Sequence, residues 1–305
     1  MIRASILAAL AAQAWAMEAA ALDTLAAVLA RWADGVKLSP EQLAAAIGDA
    51  PQAAAARRGA DASAGGGSVA VVPVFGTIAH RAHTVQQVSG AGGTSTELLG
   101  RAIDVAARNP EVGAIVLDIE SPGGAVAGTP ELVDRIYEAR ASKPIVAVAN
   151  AQAASAAYWI GSAASEFIAT PSAQVGSVGV LAVHEDRSAK LSAEGRRFTF
   201  IHAGRYKVEG NSAEPLTDEA RASIQSMVDD AYGAMVRSIA RNRATTPEAV
   251  RKDYGEGRMF SATDALARGM IDRIATLDET IARMANPRRR SRLAASNNAI
   301  RLAAL

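Results

Sequence analysis

The chain has 305 residues, half of them hydrophobic, and its 25 glycines and 11 prolines are too few to indicate global disorder. It carries 32 Lys and Arg against 31 Asp and Glu, so its charge gives no argument for binding nucleic acid or an acidic partner. The absence of cysteine excludes disulfides, a thiolate nucleophile and a cysteine-ligated metal. The four histidines, at positions 80, 83, 184 and 202, lack the spacing of a metal-binding motif, so we expect no metal and no other cofactor.

Residues 1–50 are predicted to form a small helical element. Apolar side chains recur there at helical spacing, at Leu22, Leu25, Leu29 and Trp32. The opening stretch MIRASILAALAAQAWAME could also be a cleaved secretion signal, but its apolar part is mostly alanine and is interrupted by Gln13. We therefore expect a cytoplasmic protein. No window approaches the roughly 18–20 consecutive apolar residues of a membrane span.

Residues 51–67, rich in Ala, Gly and Ser, are predicted to be a linker, and the main domain is expected to span residues 68–275. Within it, short β-branched runs alternate with amphipathic segments, which predicts an α/β fold of parallel βαβ units. A long helix is expected from Thr217 to about Arg243. Residues 276–305, with the basic run PRRRSRL, are predicted to be a flexible tail, a nucleic-acid or scaffold contact being the alternative. The predicted strands are VAVVPVFGTI, GAIVLDI, KPIVAVAN, EFIATPSAQVGSVGVLAV and RRFTFIHAG.

Three loops could carry chemistry, because parallel α/β sheets place their sites beyond the carboxyl ends of the strands. The first is SPGG, residues 121–124, whose glycines allow a close approach to a ligand but also fit an ordinary tight turn. The second contains Ser155, which follows the strand PIVAVAN and is either a helix N-cap or a nucleophile. The third, HAGRYKVEGN, contains Lys207, which is either solvated or, if removed from water, a base for a serine.

Five motifs, in this order, resemble those of the signal peptide peptidase A superfamily, and within it most closely the phage and prophage head-maturation proteases. They are LDIESPGGAVAG, VANAQAASAAYWIGSAA, ATPSAQVGSVGV, HAGRYKVEGN and EGRMFSATDALARGMID, and the similarity covers roughly residues 69–275. The resemblance implies a ClpP/crotonase-like fold and a serine endopeptidase with a Ser–Lys dyad.

The resemblance also implies a role for individual residues. Ser155 matches the nucleophile and Lys207 matches the general base. Gly124 matches the oxyanion-hole glycine, with the Ala156 amide as the second donor, and Ser177 matches the hydroxyl that orients the lysine.

A substrate of such an enzyme would bind as an added strand beside SPGG, next to Gly123, Ala125 and Val126. The segments AGT and VLAV are expected to line the pocket for the side chain before the cut. Because Ala and Gly dominate both segments, we expect a preference for small residues there.

Two departures from the family pattern bear on the function. The triplet DIE replaces an Asn-containing one before SPGG and leaves Glu120 close to the cleft. We expect no membrane anchor like that of the bacterial signal peptide peptidases, which favours the phage branch. The expected partners are therefore capsid, scaffold or portal proteins and further copies of the chain, in the host cytoplasm or within the procapsid, with no nucleic acid required. The alternatives are a bacterial peptidase that degrades signal peptides and a non-catalytic capsid or portal assembly factor.

Overall fold

Two β-sheets form the framework of the computed structural model, which describes residues 14–23, 27, 68–81, 93–293 and 295. Most strands are short, and the three longest, β2, β5 and β7, are neighbours in one sheet. The strands are β1 (Trp15–Met17), β2 (Ser68–Phe75), β3 (Thr77–Ala79), β4 (Gly93–Ser95), β5 (Val112–Ser121), β6 (Gly123–Ala125), β7 (Ile145–Ala154), β8 (Glu166–Ala169), β9 (Gln174–Gly176), β10 (Met259–Ser261) and β11 (Arg273–Ile274).

The larger sheet is mostly parallel. Its path is β10-β9-β7-β5-β2, with β8 beside β7 and β11 beside β8, and β10 is antiparallel to its neighbour. The smaller sheet has the order β1-β6-β3-β4. Since β2, β5 and β7 run parallel and helices lie between them in sequence, the predicted α/β class with parallel units is confirmed.

Helices follow most strands of the larger sheet. The longest ends at Asn242 and is capped by the Thr217 hydroxyl, which accepts from the Ala220 amide, so the predicted long helix is confirmed. None of the helices in the described ranges is both long and apolar enough to cross a bilayer. The helices are α1 (Thr96–Arg108), α2 (Thr129–Ala139), α3 (Ala156–Ser162), α4 (Ser188–Ala193), α5 (Asp218–Asn242), α6 (Pro247–Asp253), α7 (Ala262–Ala267) and α8 (Leu277–Ala285), with further helical residues at 19–23 and 287–293.

Both faces of the larger sheet are covered. Successive side chains of a strand point to opposite faces, so in β5 Ile115 and Leu117 join the main core while Ala114 and Val116 lie on the other side. That second face packs against Leu277 and Met284 of α8. Parallel sheets need this cover on both faces, and the C-terminal helix supplies part of it.

The prediction of a flexible tail over residues 276–305 is therefore wrong for its first part. Helix α8 opens with a capping box, in which Thr276 and Glu279 exchange hydrogen bonds, and residues 287–293 are again helical. Even Arg290, within the basic run, is buried beside Gly113. The basic residues suggested that the tail is exposed to solvent. The apolar residues Leu277 and Met284 instead pack α8 against the sheet.

The prediction of a helical N-terminal element is wrong for Trp15–Met17, which form a strand, and holds for residues 19–23. Alanine-rich sequence favours helix locally, but here pairing with another strand overrides that preference. The remaining N-terminal helix and the linker predicted over residues 51–67 lie outside the described residues. The first strand of the larger sheet, β2, begins at Ser68.

The predicted strand RRFTFIHAG is also wrong. Residues 196–204 have no regular secondary structure and are exposed, including Phe198, Phe200 and Ile201. The alternation of aromatic and polar residues that suggested a strand is therefore not used for pairing within this chain.

The covering role of α8 can be tested with two matched substitutions. Met284→Ala should lower the free energy of unfolding by about 2–5 kcal/mol, since Met284 is fully buried against the sheet. Met227 of α5 is 39% exposed, so Met227→Ala should lower the free energy of unfolding by about 0.5 kcal/mol or less. Chemical denaturation measures the free energy of unfolding of both variants. Equally small effects of the two substitutions would support the prediction of a flexible tail.

Candidate active site

Three neighbouring strands of the larger sheet end at the candidate site. The pairing of Ser121 with Ala153 joins β5 to β7, and the pairing of Ala154 with Gly176 joins β7 to β9. The residues that follow these pairs, SPGG, Ser155 and Ser177, therefore lie at the same edge of the sheet. This is the edge at which parallel α/β sheets carry their sites.

Ser155 lies at a sharp turn from strand β7 into helix α3. Its φ of 54° and ψ of −113° are unusual for a residue with a side chain, and it does not use its hydroxyl as a helix cap. The Ser155 amide donates to Gly176 O at 2.7 Å, and its hydroxyl donates to Gly179 O at 3.2 Å. The residue is fully buried. Such a turn holds the oxygen in front of a helix start, as nucleophile turns in α/β enzymes do.

Of the two residues predicted to form the oxyanion hole, Ala156 directly follows this serine and Gly124 lies in a neighbouring strand. Ala156 is the first residue of α3, so its N–H belongs to the turn whose donors have no partner within the helix. Gly124 lies in β6, which contacts α3. A methyl group at Gly124 would overlap the carbonyl oxygen of Ile78 in the neighbouring strand, so only glycine fits.

Ser121 shapes the SPGG turn, a role that the sequence analysis did not assign. Its hydroxyl donates to Gly76 O at 2.6 Å and accepts from the Gly123 amide at 3.1 Å. Gly123 has a φ of 99°, which favours glycine. The signal was present in the sequence, since a serine before Pro-Gly-Gly commonly bonds the backbone of its own turn.

Ser177 is the second residue near the site with an unusual backbone. It is buried, has a φ of 51°, and its amide donates to Arg258 O at 2.8 Å. Because Ser177 directly follows the residue paired with Ala154, it lies next to the turn of Ser155. The structure therefore brings together Ser155, Ser177, Gly124 and Ala156.

Lys207 is not part of this cluster in the single chain. It lies in an exposed loop between α4 and α5, which we call the lysine loop (residues 194–217). The hydrogen bonds of the described residues include none between Lys207 and Ser155, whose hydroxyl bonds Gly179 O instead. A dyad would require the lysine loop to move or to be ordered by contacts outside this chain.

Gly123, Ala125 and Val126, the predicted substrate-binding residues, line one side of a groove. On the other side, beyond β9, lies Leu181. Strand β1 from the N-terminal segment lies between them, paired with β6 and bridged to Leu181. Two backbone edges of the domain therefore hold a strand between them. The strand that lies there belongs to the chain itself.

Tyr158 holds the helix that carries the Ser155 turn. Its ring packs at 5.4 Å from Phe167 and edge-on to Tyr254, and its hydroxyl donates to Met270 O at 2.8 Å. Complete burial raises the pKa of this hydroxyl well above its usual value. The sequence analysis quoted Tyr158 within a motif, without a role, and its burial indicates that it positions α3.

Fold and site together define an α/β protein that presents a buried serine at a strained strand-to-helix turn beside a glycine-lined strand edge. The model of peptidase family S49 matches residues 138–290, half of the chain, and includes Ser155, Ser177 and Lys207. The chain belongs to peptidase family S49, which confirms the resemblance that the motifs indicated. The match also extends into α8, beyond the predicted end of the domain.

Two phage proteins are similar to most of the chain. It is 33% identical over 227 residues to the capsid assembly protease C of Escherichia phage lambda, covering 74% of this chain and 51% of that protein. It is 32% identical over 217 residues to the head-tail preconnector protein GP5 of Enterobacteria phage P21, covering 71% and 42%. The chain spans about half the length of these relatives. Among solved structures, a ClpP1 variant from Listeria monocytogenes matches with a TM-score of 0.43 and 14% identity, covering 76% of this chain and 98% of its own.

The strain at Ser155 predicts an order of stability among its variants. Ser155→Gly should be more stable than Ser155→Ala by about 1 kcal/mol, because relief of roughly 1–3 kcal/mol of backbone strain outweighs the extra entropy of an unfolded glycine, about 0.5–1 kcal/mol. Urea denaturation of the two variants measures the difference. An alanine variant as stable as the glycine variant would show that this turn is unstrained.

Proposed function

We propose that this protein is a serine endopeptidase in which Ser155 is the nucleophile and Lys207 the general base. The observation that carries the proposal is the buried Ser155 at its strained turn before α3, in a chain of peptidase family S49. A hydroxyl in this setting has no histidine among its hydrogen-bond partners, since Ser155 Oγ bonds a backbone carbonyl. The base must therefore come from elsewhere, and Lys207 is the residue of the matched family segment that the motif assigns to this task.

The reaction would proceed by acyl transfer. The uncharged amine of Lys207 accepts the Ser155 proton as the serine oxygen attacks the peptide carbonyl, and the Gly124 and Ala156 amides donate to the resulting oxyanion. Each such donor contributes roughly 3–4 kcal/mol to lowering the barrier. Lys207 then gives the proton to the leaving amine and later takes one from the water that releases the acyl-enzyme. Ser177, beside the Ser155 turn, holds the amine in place.

Lys207 needs a partner surface to leave water and become uncharged. The lysine loop offers one, because it exposes Phe198, Phe200, Tyr206 and Ile201, the last with 97% of its surface accessible. Exposed apolar side chains this close in sequence are typical of a protein–protein contact. We propose that a second copy of the chain covers this loop in a homo-oligomer and directs Lys207 towards a groove.

The substrates we propose are capsid, scaffold or portal proteins, cut during assembly of a phage head in the host cytoplasm or within the procapsid. The names of the two phage relatives, a capsid assembly protease and a head-tail preconnector protein, support this choice. A bacterial signal-peptide-degrading peptidase would share the chemistry and differ in its substrates. A non-catalytic assembly factor would keep the groove and not need the hydroxyl of Ser155.

Substitution of the two residues tests the dyad. Ser155→Ala should lower kcat/KM by roughly 10⁴-fold or more and Lys207→Ala by roughly 10²-fold or more, because they remove the nucleophile and the base. The measurement is cleavage of candidate capsid and scaffold proteins, with β-casein as an unstructured substrate, followed by gel electrophoresis and mass spectrometry.

The matched control for this experiment is Lys190→Ala, which removes another exposed lysine, in α4, and should keep full activity. Equal activity of Lys207→Ala and Lys190→Ala would make Lys207 an ordinary solvated side chain. Undiminished cleavage by Ser155→Ala would remove the serine mechanism.

The proposed oligomer can be tested separately. Ile201→Asp should shift the sedimentation coefficient towards that of the monomer, because a charge in a buried apolar contact is strongly unfavourable. Val105→Asp, which changes a 69% exposed apolar residue of α1, should leave the sedimentation coefficient unchanged. Sedimentation velocity at several concentrations distinguishes the two, and identical profiles would contradict a contact through the lysine loop.

A further inference from the structure

Strand β1 fills the only edge of β6 that its own sheet leaves open among the described strands. In the smaller sheet β6 lies between β3 and β1, so the β3 side is taken by the domain itself. On the other side Trp15, Ala16 and Met17 pair antiparallel with residues 125, 124 and 123. This is the strand edge at which an extended substrate would add.

The opposite edge of β1 is bound as well. The Trp15 amide donates to Leu181 O at 2.8 Å, and the Leu181 amide donates to Trp15 O at 2.9 Å. The N-terminal segment therefore lies between two backbone edges of the domain, one from the SPGG side and one from the segment after Ser177. An extended peptide held on both sides in this way gains main-chain hydrogen bonds whatever its sequence.

The register places the carbonyl of Ala16 at the proposed oxyanion hole. The Val126 amide donates to Ala14 O at 3.2 Å, and the Glu18 amide donates to Pro122 O at 2.9 Å. Hydrogen-bonded pairs alternate along antiparallel strands, so Ala16 and Gly124, midway between these two, form the next such pair. The Gly124 amide then donates to Ala16 O, in place of the oxyanion of a substrate.

The position of Ala16 relative to Ser155 fits the same arrangement. A methyl group placed on Gly123 would overlap Ala16 O and lie 3.0 Å from Ala154 O, so the Ala16 carbonyl lies close to the residue that precedes the nucleophile. Ala16 is fully buried, which leaves room for a small side chain. Trp15 and Met17 pack instead with Leu22 and Ala125.

We propose that residues 14–18 occupy the substrate groove as a substrate-like strand, with Ala16 in the position of the residue before the cut. The inference rests on the proposed function for the identity of the groove. It assigns the ligand class as an extended peptide with a small residue opposite Gly124. It also makes the N-terminal strand an intramolecular competitor, which an incoming substrate must displace.

A competitor of this kind has a measurable effect on affinity. When only a fraction of molecules has an open groove, the apparent dissociation constant of a peptide rises by the inverse of that fraction. Two side-chain contacts also hold the segment, since Gln152 Nε2 donates to Glu18 Oε2 at 2.7 Å and Leu22 is buried. Release of β1 should therefore tighten peptide binding by about tenfold or more.

The test measures binding of a fluorescein-labelled peptide, QAWAMEA, which has the sequence of residues 13–19, by fluorescence anisotropy. All proteins carry Ser155→Ala, so none performs chemistry and binding is read independently of whether the parent is a peptidase. Ala16→Asp in the protein places a charge at a buried position and should release β1, which tightens peptide binding about tenfold or more. Ala19→Asp, the same change at an exposed residue three positions on, should bind like the parent.

The register is tested with the peptide QAWDMEA, which should bind the Ala16→Asp protein at least about tenfold more weakly than QAWAMEA. Equal affinity of the three proteins for QAWAMEA would contradict the proposal that β1 competes with substrate. Equal affinity of the Ala16→Asp protein for the two peptides would contradict the proposed register.

A second measurement needs no change at position 16. In the Ser155→Ala protein, saturating QAWAMEA should speed hydrogen exchange at the Trp15 and Glu18 amides while Val126 stays protected, and unchanged exchange at Trp15 would again overturn the proposal.

Discussion

The parallel pairing of β7 with β5 on one side and β9 on the other is the constraint on which the site depends. It fixes where β7 ends, and the next residue, Ser155, has to turn at a φ of 54° to enter α3. This backbone conformation costs roughly 1–3 kcal/mol, which the strand pairing of β7 and the burial of α3 offset. Tyr158 anchors that helix through Met270 and Phe167. A serine in a freely exposed loop would not keep such a conformation. The turn at Ser155 therefore depends on the pairing of the sheet.

Much of the domain could be predicted from sequence, because its signals are local. The β-branched runs of β2, β5 and β7 and the capped, periodic helix α5 follow from residue patterns alone. Two of the three failures, at the C-terminal tail and at Trp15–Met17, are places where a distant partner decides the structure. Helix α8 folds because the second face of β5 and β7 needs apolar cover, and β1 is extended because β6 has an open edge. The pairing that keeps β1 extended is not visible in its alanine-rich segment, and the basic run after α8 favoured the prediction of a flexible tail.

The candidate site likewise combines residues whose place follows from local signals with one, Lys207, whose place does not. Ser155, Ala156 and Ser177 lie at the end of a strand or the start of a helix, and Gly124 lies within the short strand β6. Topology therefore sets their neighbourhood, and the structure brings them together. Lys207 lies in a loop with little regular structure, and sequence could assign it a role only through the family motif. Its loop exposes aromatic and aliphatic side chains that a single chain leaves uncovered. In the proposed oligomer the position of the amine would depend on association, which no residue pattern within the chain records.

Gly124 lies where β6 meets both of its neighbouring strands, β3 and β1. On one side its missing side chain lets Ile78 O approach, so that β6 can lie flat against β3. On the other side its amide points to the strand position that Ala16 occupies. A methyl group there would push β6 away from β3 and would disturb both the amide opposite Ala16 and the edge of β6 that pairs with β1. The backbones of β1 and β3 therefore both lie close to a single glycine, and the residue of β1 opposite Gly124 is the small, fully buried Ala16.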